Sequence, residues 1–595
     1  MLRFRRICCA TCIILLWSQA TAWTQTQSAK PVSPAAATTK PPSAETNASQ
    51  AAVVYECRSN VLNFESNGTG TRETTVVARV QSPAGVKDLA ILTFAYTSYN
   101  QVVDIVYVRV RKPDGTVVET PPANVQDMPS AITRGAPMYS DLQEKHVTLK
   151  ALGVGDVVEY QVRYRTVRPQ VEGEFWFQQN FTKLFVVKEE VLEISVPRDK
   201  YVKVTSPGYP PAVTEDKTKR TYTWKTANPT VKEGSLLTLL SEEATPSVDL
   251  TTFKDWAQVG SWYQSLAQPQ MTVTPQIRAK AAELTRGLTS DDDKIRAIYS
   301  FVSTNFHYVS LSFGVGRYQP HAAQEVLENE YGDCKDKHTL LAALLKAAGF
   351  EAWPALMNSA AKIDPSMPSP GRFNHVVTVV TRGDRMIWLD TTPEVAPFGL
   401  LLSSLRDKLA LVMPNNGPAS LMKTPAQPPV PLSQTLTANG KLADDGTYTA
   451  HVQQTANGDG EFLNRLAFHR ASMAKQDAVA KRFSLVADFG GELSNLNVTA
   501  PEDLAKPFRM SYDYTKPSYS EWSSQRIVAP LPWFGIESVG AEEEKPKDPA
   551  PLGAVGEVIR IAHRTATRSR SFVFGQIRCD GGLRRISRSV FHPGW

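Results

Sequence analysis

The sequence predicts a chain of three folded parts: an N-terminal β-sandwich, a central α+β domain and a C-terminal β-domain that we expect to be truncated. Its 595 residues suit about three or four domains of ordinary size. Hydrophobic residues make up 42% and charged residues 21%, which is typical of soluble globular proteins and excludes wholesale disorder or a multi-span membrane protein. The 41 prolines and 34 glycines follow no fixed period, which favours loops and short strands over a helical bundle.

The start of the chain has the pattern of an export signal. Three arginines within the first six residues precede an apolar run at 7–17, and residues 20–22 have the small-x-small form of a signal-peptidase site. An apolar run of 11 residues is too short to cross a bilayer core, which needs about 20. We therefore predict a signal peptide at 1–22, a disordered linker at 23–50, and a mature protein in the periplasm or outside the cell. An uncleaved anchor is the alternative; otherwise the protein should meet the membrane only through its signal peptide.

The net charge of +6 is confined to the two ends of the chain. The signal segment contributes +3, and residues 560–595 contribute +7 from eight arginines and one aspartate, which leaves −4 on residues 23–559. A mildly acidic body offers no broad phosphate-binding face, so we expect no nucleic-acid partner. The arginine-rich end predicts a disordered basic tail at 561–595; a natural tail that binds an anionic surface is the alternative.

The two flanking regions have the composition of β-structure. Residues 51–245 are rich in Val, Tyr, Ile and Thr between frequent turn signals, which predicts an antiparallel sandwich. Its aromatic residues are interpreted as core, and we find no catalytic grouping there. Residues 425–560 return to the same texture and predict the C-terminal β-domain, with a charged stretch of possible helix near 461–480.

The central domain, predicted at 250–412, begins with helices that we interpret as a scaffold. A stripe of large apolar side chains recurs at helical spacing, at Phe253, Trp256, Val259 and Tyr263. Two more helices are predicted to follow, because proline and serine stand at the positions that favour helix starts.

Cys334 is predicted to lie in the first turn of a buried helix. Gly332 and Asp333 form the turn that enters the helix, residues 339–348 are strong helix formers, and Gly349 ends it. At a helix N-terminus, unpaired N–H groups and the positive end of the dipole stabilise a thiolate, the form of cysteine that attacks a carbonyl carbon. The same N–H groups can hold the oxyanion that the attack creates. An inert buried cysteine is the alternative.

His375 and Asp390 supply the other groups that a cysteine nucleophile needs. His375 starts one apolar strand, and Asp390 ends the next strand, across a turn at 382–384. Counting from the turn places the two side chains near-opposite each other on antiparallel neighbours. The histidine would accept and return the thiol proton, and the carboxylate would orient it. Each residue alone is more often structural, so only the set of three suggests catalysis.

Several short segments carry a resemblance to a known family. They read Gly-Asp-Cys-Lys-Asp-Lys at 332–337, Asn-His-Val at 374–376 and Trp-Leu-Asp at 388–390. Together they resemble the transglutaminase-like superfamily of papain-like fold. The preceding β-region, with the segments at 252–256 and 316–320, looks like a bacterial exported architecture in which a β-domain of unknown function precedes the transglutaminase-like domain.

The resemblance implies that Cys334, His375 and Asp390 form a catalytic triad. The family includes protein cross-linkers, peptidases, amidases and inactive members, so the motifs do not choose among these activities. We expect an exported enzyme that acts on amide bonds through a thioester on Cys334, with a protein or peptide substrate or other cell-envelope material. The alternative is a noncatalytic envelope-binding module on the same scaffold.

Residues around the triad are assigned supporting roles. Gln319, upstream of the cysteine, is the choice for a second oxyanion donor, with Tyr308 as the alternative. Asp336 is expected to hold the site loop. Lys335 and Lys337 are expected to join it in a solvated or supporting network of ion pairs.

A zinc site is the rival interpretation of the same region. Cys334 and His338 stand four residues apart on one helix, and His307 and His321 are near in sequence. However, these spacings form no paired ligand knuckle, and no Asp-rich loop has the pattern of a calcium site. We therefore expect no metal and no other cofactor.

Overall fold

The computed structural model of the chain describes residues 45–131, 133, 141–232, 247–309, 318–430, 433–443, 445–519, 557–559 and 577–579. The predicted signal peptide and most of the predicted linker lie outside these residues. At the end of that linker, Glu45–Asn47 form a short strand, β1, which pairs antiparallel with Thr230–Lys232. Within the described ranges, no helix has the length and apolar character needed to cross a membrane.

A strand-rich region extends to residue 251. After β1 its strands are β2 (Val53–Phe64), β3 (Gly70–Val80), β4 (Ile91–Thr97), β5 (Gln101–Arg111), β6 (Val117–Glu119), β7 (Val125–Pro129), β8 (Leu142–Thr148), β9 (Val157–Thr166), β10 (Trp176–Gln179), β11 (Val186–Pro197), β12 (Lys203–Thr205), β13 (Ala212–Glu215), β14 (Lys219–Asn228), β15 (Thr230–Lys232) and β16 (Val248–Thr251). One short helix, α1 (Pro83–Leu89), starts after Ser82, whose side chain caps it.

Eight of these strands form one sheet, in the order β13-β14-β11-β2-β3-β9-β5-β6. Neighbours are antiparallel except β2 and β11, which run parallel with Val54 opposite Val186. The prediction of a purely antiparallel sandwich is therefore wrong at this pair. In sequence, the strands β3 to β10 lie between β2 and β11. No hairpin turn therefore connects β2 to β11 and requires them to be antiparallel.

Two three-stranded sheets pack on the eight-stranded sheet. The sheet β4-β8-β7 shares a core with it that includes Phe94, Val108 and Val147. The sheet β10-β16-β12 shares another, which includes Trp224 and Leu250. Because apolar side chains of facing sheets fill both cores, the N-terminal part has the layered sandwich that the sequence predicts.

The central domain follows directly. Its helices are α2 (Trp256–Ala267), α3 (Pro275–Leu284), α4 (Asp291–Asn305), α5 (Ala323–Asn329) and α6 (Cys334–Ala347). Its strands are β17 (His307–Tyr308), β18 (Tyr331–Gly332), β19 (Ala352–Met357), β20 (His375–Arg382), β21 (Arg385–Leu389), β22 (Leu409–Val412) and β23 (Ser420–Lys423). Five of the strands form an antiparallel sheet in the order β21-β20-β19-β22-β23, and β17 pairs parallel with β18 just before α6.

Helix α6 lies at the centre of this domain. Its leucines, including Leu340 and Leu344, are fully buried between α3, α4 and the sheet. Burying each such side chain stabilises the fold by roughly 1.5–3 kcal/mol. The chain leaves the helix through Gly349 at φ +88°, a left-handed conformation that glycine adopts without steric cost. The core thus fixes the position of the residue that begins α6.

The C-terminal part combines a sheet with helices. The strands β24 (Ser433–Leu442), β25 (Tyr448–Asn457), β26 (Glu492–Val498) and β27 (Arg509–Lys516) form a sheet in the order β24-β25-β27-β26. The helices are α7 (Asp459–Arg470), α8 (Gln476–Arg482) and α9 (Leu485–Phe489). Phe468 of α7 and Leu485 of α9 share a core with Tyr512 of β27, so the expected β-domain is present with helices packed on its sheet.

Two short segments are described beyond residue 519. Glu557–Ile559 (β28) pair antiparallel with Ile577–Cys579 (β29). Three residues of the predicted disordered tail therefore have a regular conformation, and the rest of 561–595 lies outside the described residues.

Candidate active site

Cys334 is the first residue of α6, and its neighbours cap the helix. The Asp333 carboxylate accepts the backbone N–H groups of Lys335 (3.0 Å) and Asp336 (3.2 Å), and the Asp336 carboxylate accepts the N–H of Asp333 (3.2 Å) in return. The Asp333 carbonyl accepts the N–H of Lys337 at 2.9 Å. Among the described residues, the backbone N–H of Cys334 is the first-turn donor to which this cap gives no acceptor.

His375 and Asp390 are in direct contact. His375 begins β20, Asp390 follows β21, and His375 Nε2 lies 3.0 Å from Asp390 Oδ2. The other carboxylate oxygen accepts bonds from the backbone N–H and hydroxyl of Thr392, at 2.9 and 2.8 Å. Tyr299, fully buried on α4, donates its hydroxyl to the Asp390 backbone carbonyl at 3.1 Å. The carboxylate is therefore held at both its side chain and its backbone.

The strand register agrees with the near-opposite placement that the sequence predicts. Thr378 of β20 lies opposite Leu389 of β21, so continuing the pairing would place Asp390 opposite Val377, two residues from His375. Because side chains two residues apart on a strand share a face, His375 and Asp390 are diagonal neighbours on the same side of the sheet.

Cys334 lies close enough to His375 to affect the pKa of that histidine. Because Asp390 occupies Nε2 of the ring, Nδ1 is the nitrogen that remains on the side away from the carboxylate. Burial alone would lower the pKa of His375, but Asp390 and Cys334 outweigh it and raise this pKa well above its usual value. Burial would raise the pKa of Asp390, yet the His375 ring and the Thr392 bonds lower it. The two directions together favour an ionised Asp390 beside a protonated His375.

Asp336 ties the preceding segment to the helix start. Its side chain is fully buried, and Oδ1 accepts the backbone N–H of His321 at 2.8 Å. The Nδ1 atom of His321 lies 3.1 Å from both carboxylate oxygens. Burial would raise the pKa of Asp336, but the bond from His321 lowers it. Asp336 thus joins the segment at 318–321 to α6.

The prediction that Lys337 belongs to a solvated network of ion pairs is wrong. Its side chain is fully buried, and Nζ donates to the backbone carbonyls of Ser303 (3.1 Å) and Phe306 (2.7 Å). Burial lowers its pKa to about 8, against the attraction of Glu394 and Asp390. Lys337 therefore joins the end of α4 to α6, a role that α6 periodicity could have indicated because this position faces the core.

The assignment of Gln319 or Tyr308 as an oxyanion donor stays a prediction. Gln319 is exposed, and within the described part of the chain we find no hydrogen bond from it to Cys334, His375 or Asp390. Tyr308 uses its backbone N–H on the carboxylate of Glu394, at 2.8 Å.

Tyr263 is a site residue that sequence reasoning assigned only to the scaffold. It is 1% exposed on α2 and belongs to the core cluster against which Cys334 packs. Its hydroxyl oxygen has no hydrogen-bond partner among the described residues. Helical spacing alone cannot separate such a tyrosine from ordinary core, because the signal is the unused hydroxyl.

The residues of the zinc interpretation have other partners. His338 is fully buried with Nδ1 2.7 Å from the Thr378 hydroxyl, and burial lowers its pKa to about 3. His321 faces Asp336, as above. In the described ranges, no group of three or more His, Cys, Asp or Glu side chains is arranged to hold a metal ion.

Two protein-family models match separate parts of the chain. Residues 66–232 match a domain of unknown function with a solved structure, DUF3857. Residues 278–389 match the transglutaminase-like superfamily, and this segment contains both Cys334 and His375 and ends one residue before Asp390. This segment is transglutaminase-like. The resemblance that the sequence predicts, with a domain of unknown function before the transglutaminase-like segment, is thereby confirmed.

Solved structures resemble this chain to different degrees. A proposed protease from Parabacteroides distasonis is 16% identical with a TM-score of 0.54, over 67% of this chain and 77% of its own. A proposed cysteine protease from Cytophaga hutchinsonii is 14% identical over 57% and 79%, with a TM-score of 0.17. An M1 zinc metallopeptidase from Deinococcus radiodurans is 10% identical over 34% and 42%, with a TM-score of 0.20. The first similarity supports a shared fold, and the other two are too weak for argument. The curated proteins yielded no match.

Glu394 links the transglutaminase-like domain to the C-terminal part. It lies four residues after Asp390 at φ +63°, and it accepts the backbone N–H of Tyr308 and faces His469 Nε2 of α7 at 3.0 Å. His469 Nδ1 lies 2.5 Å from Glu502. The bonds to Glu394 and then Glu502 raise the pKa of His469; burial would raise the pKa of Glu394, but His469 and Tyr308 lower it.

We predict that Glu394→Gln lowers stability mainly in mildly acidic solution. The ionised Glu394 adds to the free energy of unfolding at pH values above its unfolded pKa of 4.5. This stabilisation is lost as the pH falls through the lowered pKa of the folded state. The protonated His469 adds its full stabilisation at pH values below its unfolded pKa of 6.5. This stabilisation is lost as the pH rises through the raised pKa of the folded state. The thermal midpoint of the variant should therefore lie roughly 2–4 °C below wild type at pH 5.5 and within about 1 °C at pH 9.

A matched control is Asp513→Asn, which removes the carboxylate facing the exposed His451. Because both side chains of that pair are solvated, its midpoint should change by less than about 1 °C at either pH. If Glu394→Gln lowered the thermal midpoint equally at pH 5.5 and pH 9, the assignment of Glu394 and His469 as a charged pair would be contradicted.

Proposed function

We propose that this protein is an exported, cysteine-dependent enzyme that transfers acyl groups from amide bonds. The observation that carries the proposal is the hydrogen-bonded pair of Asp390 and His375 next to Cys334 at the start of α6. The fold of the transglutaminase-like domain supports it, and the signal pattern at 1–22 supports export to the periplasm or beyond. The proposed substrates are proteins, peptides or other amide-containing material of the cell envelope, and no cofactor enters the reaction.

In the first half-reaction the Cys334 thiolate attacks the carbonyl carbon and forms a carbon–sulfur bond. The negative charge passes to the carbonyl oxygen, which the N–H of Cys334 can bind. The His375 imidazolium then gives its proton to the leaving nitrogen, the carbon–nitrogen bond breaks, and a thioester and a free amine result. Asp390 keeps the ring oriented and stabilises its charged form.

In the second half-reaction neutral His375 takes a proton from an incoming water or amine. The oxygen or nitrogen attacks the thioester, the carbon–sulfur bond breaks, and the thiolate–imidazolium pair returns. Water gives hydrolysis, as in a peptidase or amidase, and an amine gives cross-linking, as in a transglutaminase. The triad serves both outcomes equally, so the acceptor is decided by access to the site.

The test is trapping of the thioester with hydroxylamine. The mature protein is incubated with peptides that carry glutamine side chains and with peptides that offer only backbone amides, with and without hydroxylamine, and the products are identified by mass spectrometry. A hydroxamate on the glutamine indicates side-chain acyl transfer, and one on a cleaved backbone carbonyl indicates peptidase activity. The proposal fails for these substrate classes if neither peptide set yields hydroxamate or hydrolysis product.

A further inference from the structure

Helix α2 lies outside the segment that matches the transglutaminase-like superfamily, yet it borders the cysteine. Asp255 caps the helix by accepting the backbone N–H of Gln258 at 2.8 Å. At Gly260 an added Cβ would stand 2.1 Å from the Cβ of Ala419, so α2 approaches the segment just before β23 more closely than a larger residue would allow. This close contact fixes the helix that carries Tyr263, one turn further on.

The hydroxyl of Tyr263 is buried and lacks a hydrogen-bond partner among the described residues. The residue is 1% exposed, and its oxygen makes no hydrogen bond within the described ranges. Leaving a buried polar group unpaired costs about 1–3 kcal/mol, so buried hydroxyls nearly always have a partner. Because Tyr263 belongs to the core cluster against which Cys334 packs, a partner that arrives with the substrate would satisfy this hydroxyl.

The surroundings of this hydroxyl point toward the nucleophile. Tyr263 belongs to the core cluster that packs against Cys334, together with Phe373 and Val376, which flank His375 in sequence. Burial, followed by the negative charges of Cys334 and the carboxylates at the start of α6, raises the pKa of Tyr263 well above its usual value. The hydroxyl therefore stays protonated at any pH at which the triad works, and it can only act as a donor toward a negatively charged oxygen.

We propose that the Tyr263 hydroxyl is the side-chain oxyanion donor of the site, acting together with the backbone N–H of Cys334. This inference rests on the proposed function, because it gives Tyr263 a partner only when an acyl group is attached to the sulfur. It takes the role that sequence reasoning gave to Gln319, whose side chain is exposed.

The Tyr263→Phe variant tests the proposal by removing one oxygen atom. Loss of an oxyanion donor lowers kcat by about 10²–10³-fold. We expect KM to change by less than about threefold, and the rate at which iodoacetamide alkylates Cys334 to stay at the wild-type value, because Tyr263 does not act on the sulfur. The matched control is Tyr514→Phe, which removes an equally buried hydroxyl, bonded to the Gly490 carbonyl in the C-terminal sheet, and should keep wild-type kcat.

A second readout does not need a substrate. A peptide aldehyde, N-acetyl-glycyl-glycinal, adds to the Cys334 thiolate and forms a hemithioacetal whose oxygen occupies the oxyanion position. The aldehyde concentration that protects Cys334 from alkylation should rise tenfold or more in Tyr263→Phe. Equal protection in wild type and variant, or a normal kcat in Tyr263→Phe with a loss in Gln319→Ala, would overturn the proposal. A wild-type Cys334 that no alkylating reagent modifies would instead refute the proposed function itself.

Discussion

Replacing Cys334 with alanine is expected to abolish acyl transfer completely. No other described group in the site can take over, because the reaction needs a carbon–sulfur bond and the neighbours of Cys334 on α6 are lysine and aspartate side chains held in ion pairs and caps. The fold should survive, since the thiol is only half-buried and its removal costs on the order of 1 kcal/mol or less. Turnover in the hydroxylamine assay and the thermal midpoint measure the two effects separately.

The matched control for this variant is Cys57→Ala. Cys57 is a second free cysteine and lies on β2 in the N-terminal sandwich, where burial raises its pKa. Its replacement should leave kcat unchanged. Residual hydroxamate formation by Cys334→Ala above the level of the protein-free reaction would show that the chemistry occurs elsewhere.

The second large effect is expected from Asp390→Asn. The carboxylate both orients His375 and stabilises its protonated form, and an amide of the same shape keeps the bonds to Thr392 but loses the charge. We expect kcat to fall by about 10³-fold or more. Because Asp390 holds the pKa of His375 above its usual value, its removal should lower that pKa, and the imidazolium should be lost at a lower pH.

The same variant distinguishes an orienting role from a purely structural one. A structural carboxylate would lower the thermal midpoint and leave the pH profile of kcat/KM in place. The expected result is the reverse: a displaced alkaline limb of the profile and a modest change in the midpoint. A variant with wild-type kcat at every pH would remove Asp390 from the site.

The nucleophile and its two partners could be predicted because local patterns determine them. A tight turn before a strong helix former places Cys334 at a helix start, and two short strands joined by one turn bring His375 near Asp390. Counting from the turn could place the pair only to within about two residues, and the structure lies inside that range. The parallel contact of β2 with β11 depends on long-range packing that no turn signal records.

The roles of the supporting residues were harder to predict from the sequence, because they depend on which side chains the fold buries. Lys337 is an ordinary surface residue by composition, yet the packing of α4 on α6 buries it and its ammonium bonds to backbone carbonyls. Gln319 has a suitable side chain and a suitable place in the sequence, but the fold leaves it exposed. Tyr263 belongs to an apolar stripe, and only its unpaired hydroxyl separates it from the other members of that stripe.

The most direct measurement is the rate at which iodoacetamide alkylates Cys334 as a function of pH, followed by mass spectrometry of the modified peptides. If His375 and the start of α6 activate the sulfur, Cys334 should be alkylated much faster than Cys57 at pH 6, and His375→Ala should remove that difference. Cys57 provides the internal reference, because its raised pKa makes it slow to react in neutral solution. A wild-type Cys334 whose rate rises with pH in parallel with that of Cys57, and does not respond to loss of His375, would contradict the catalytic triad.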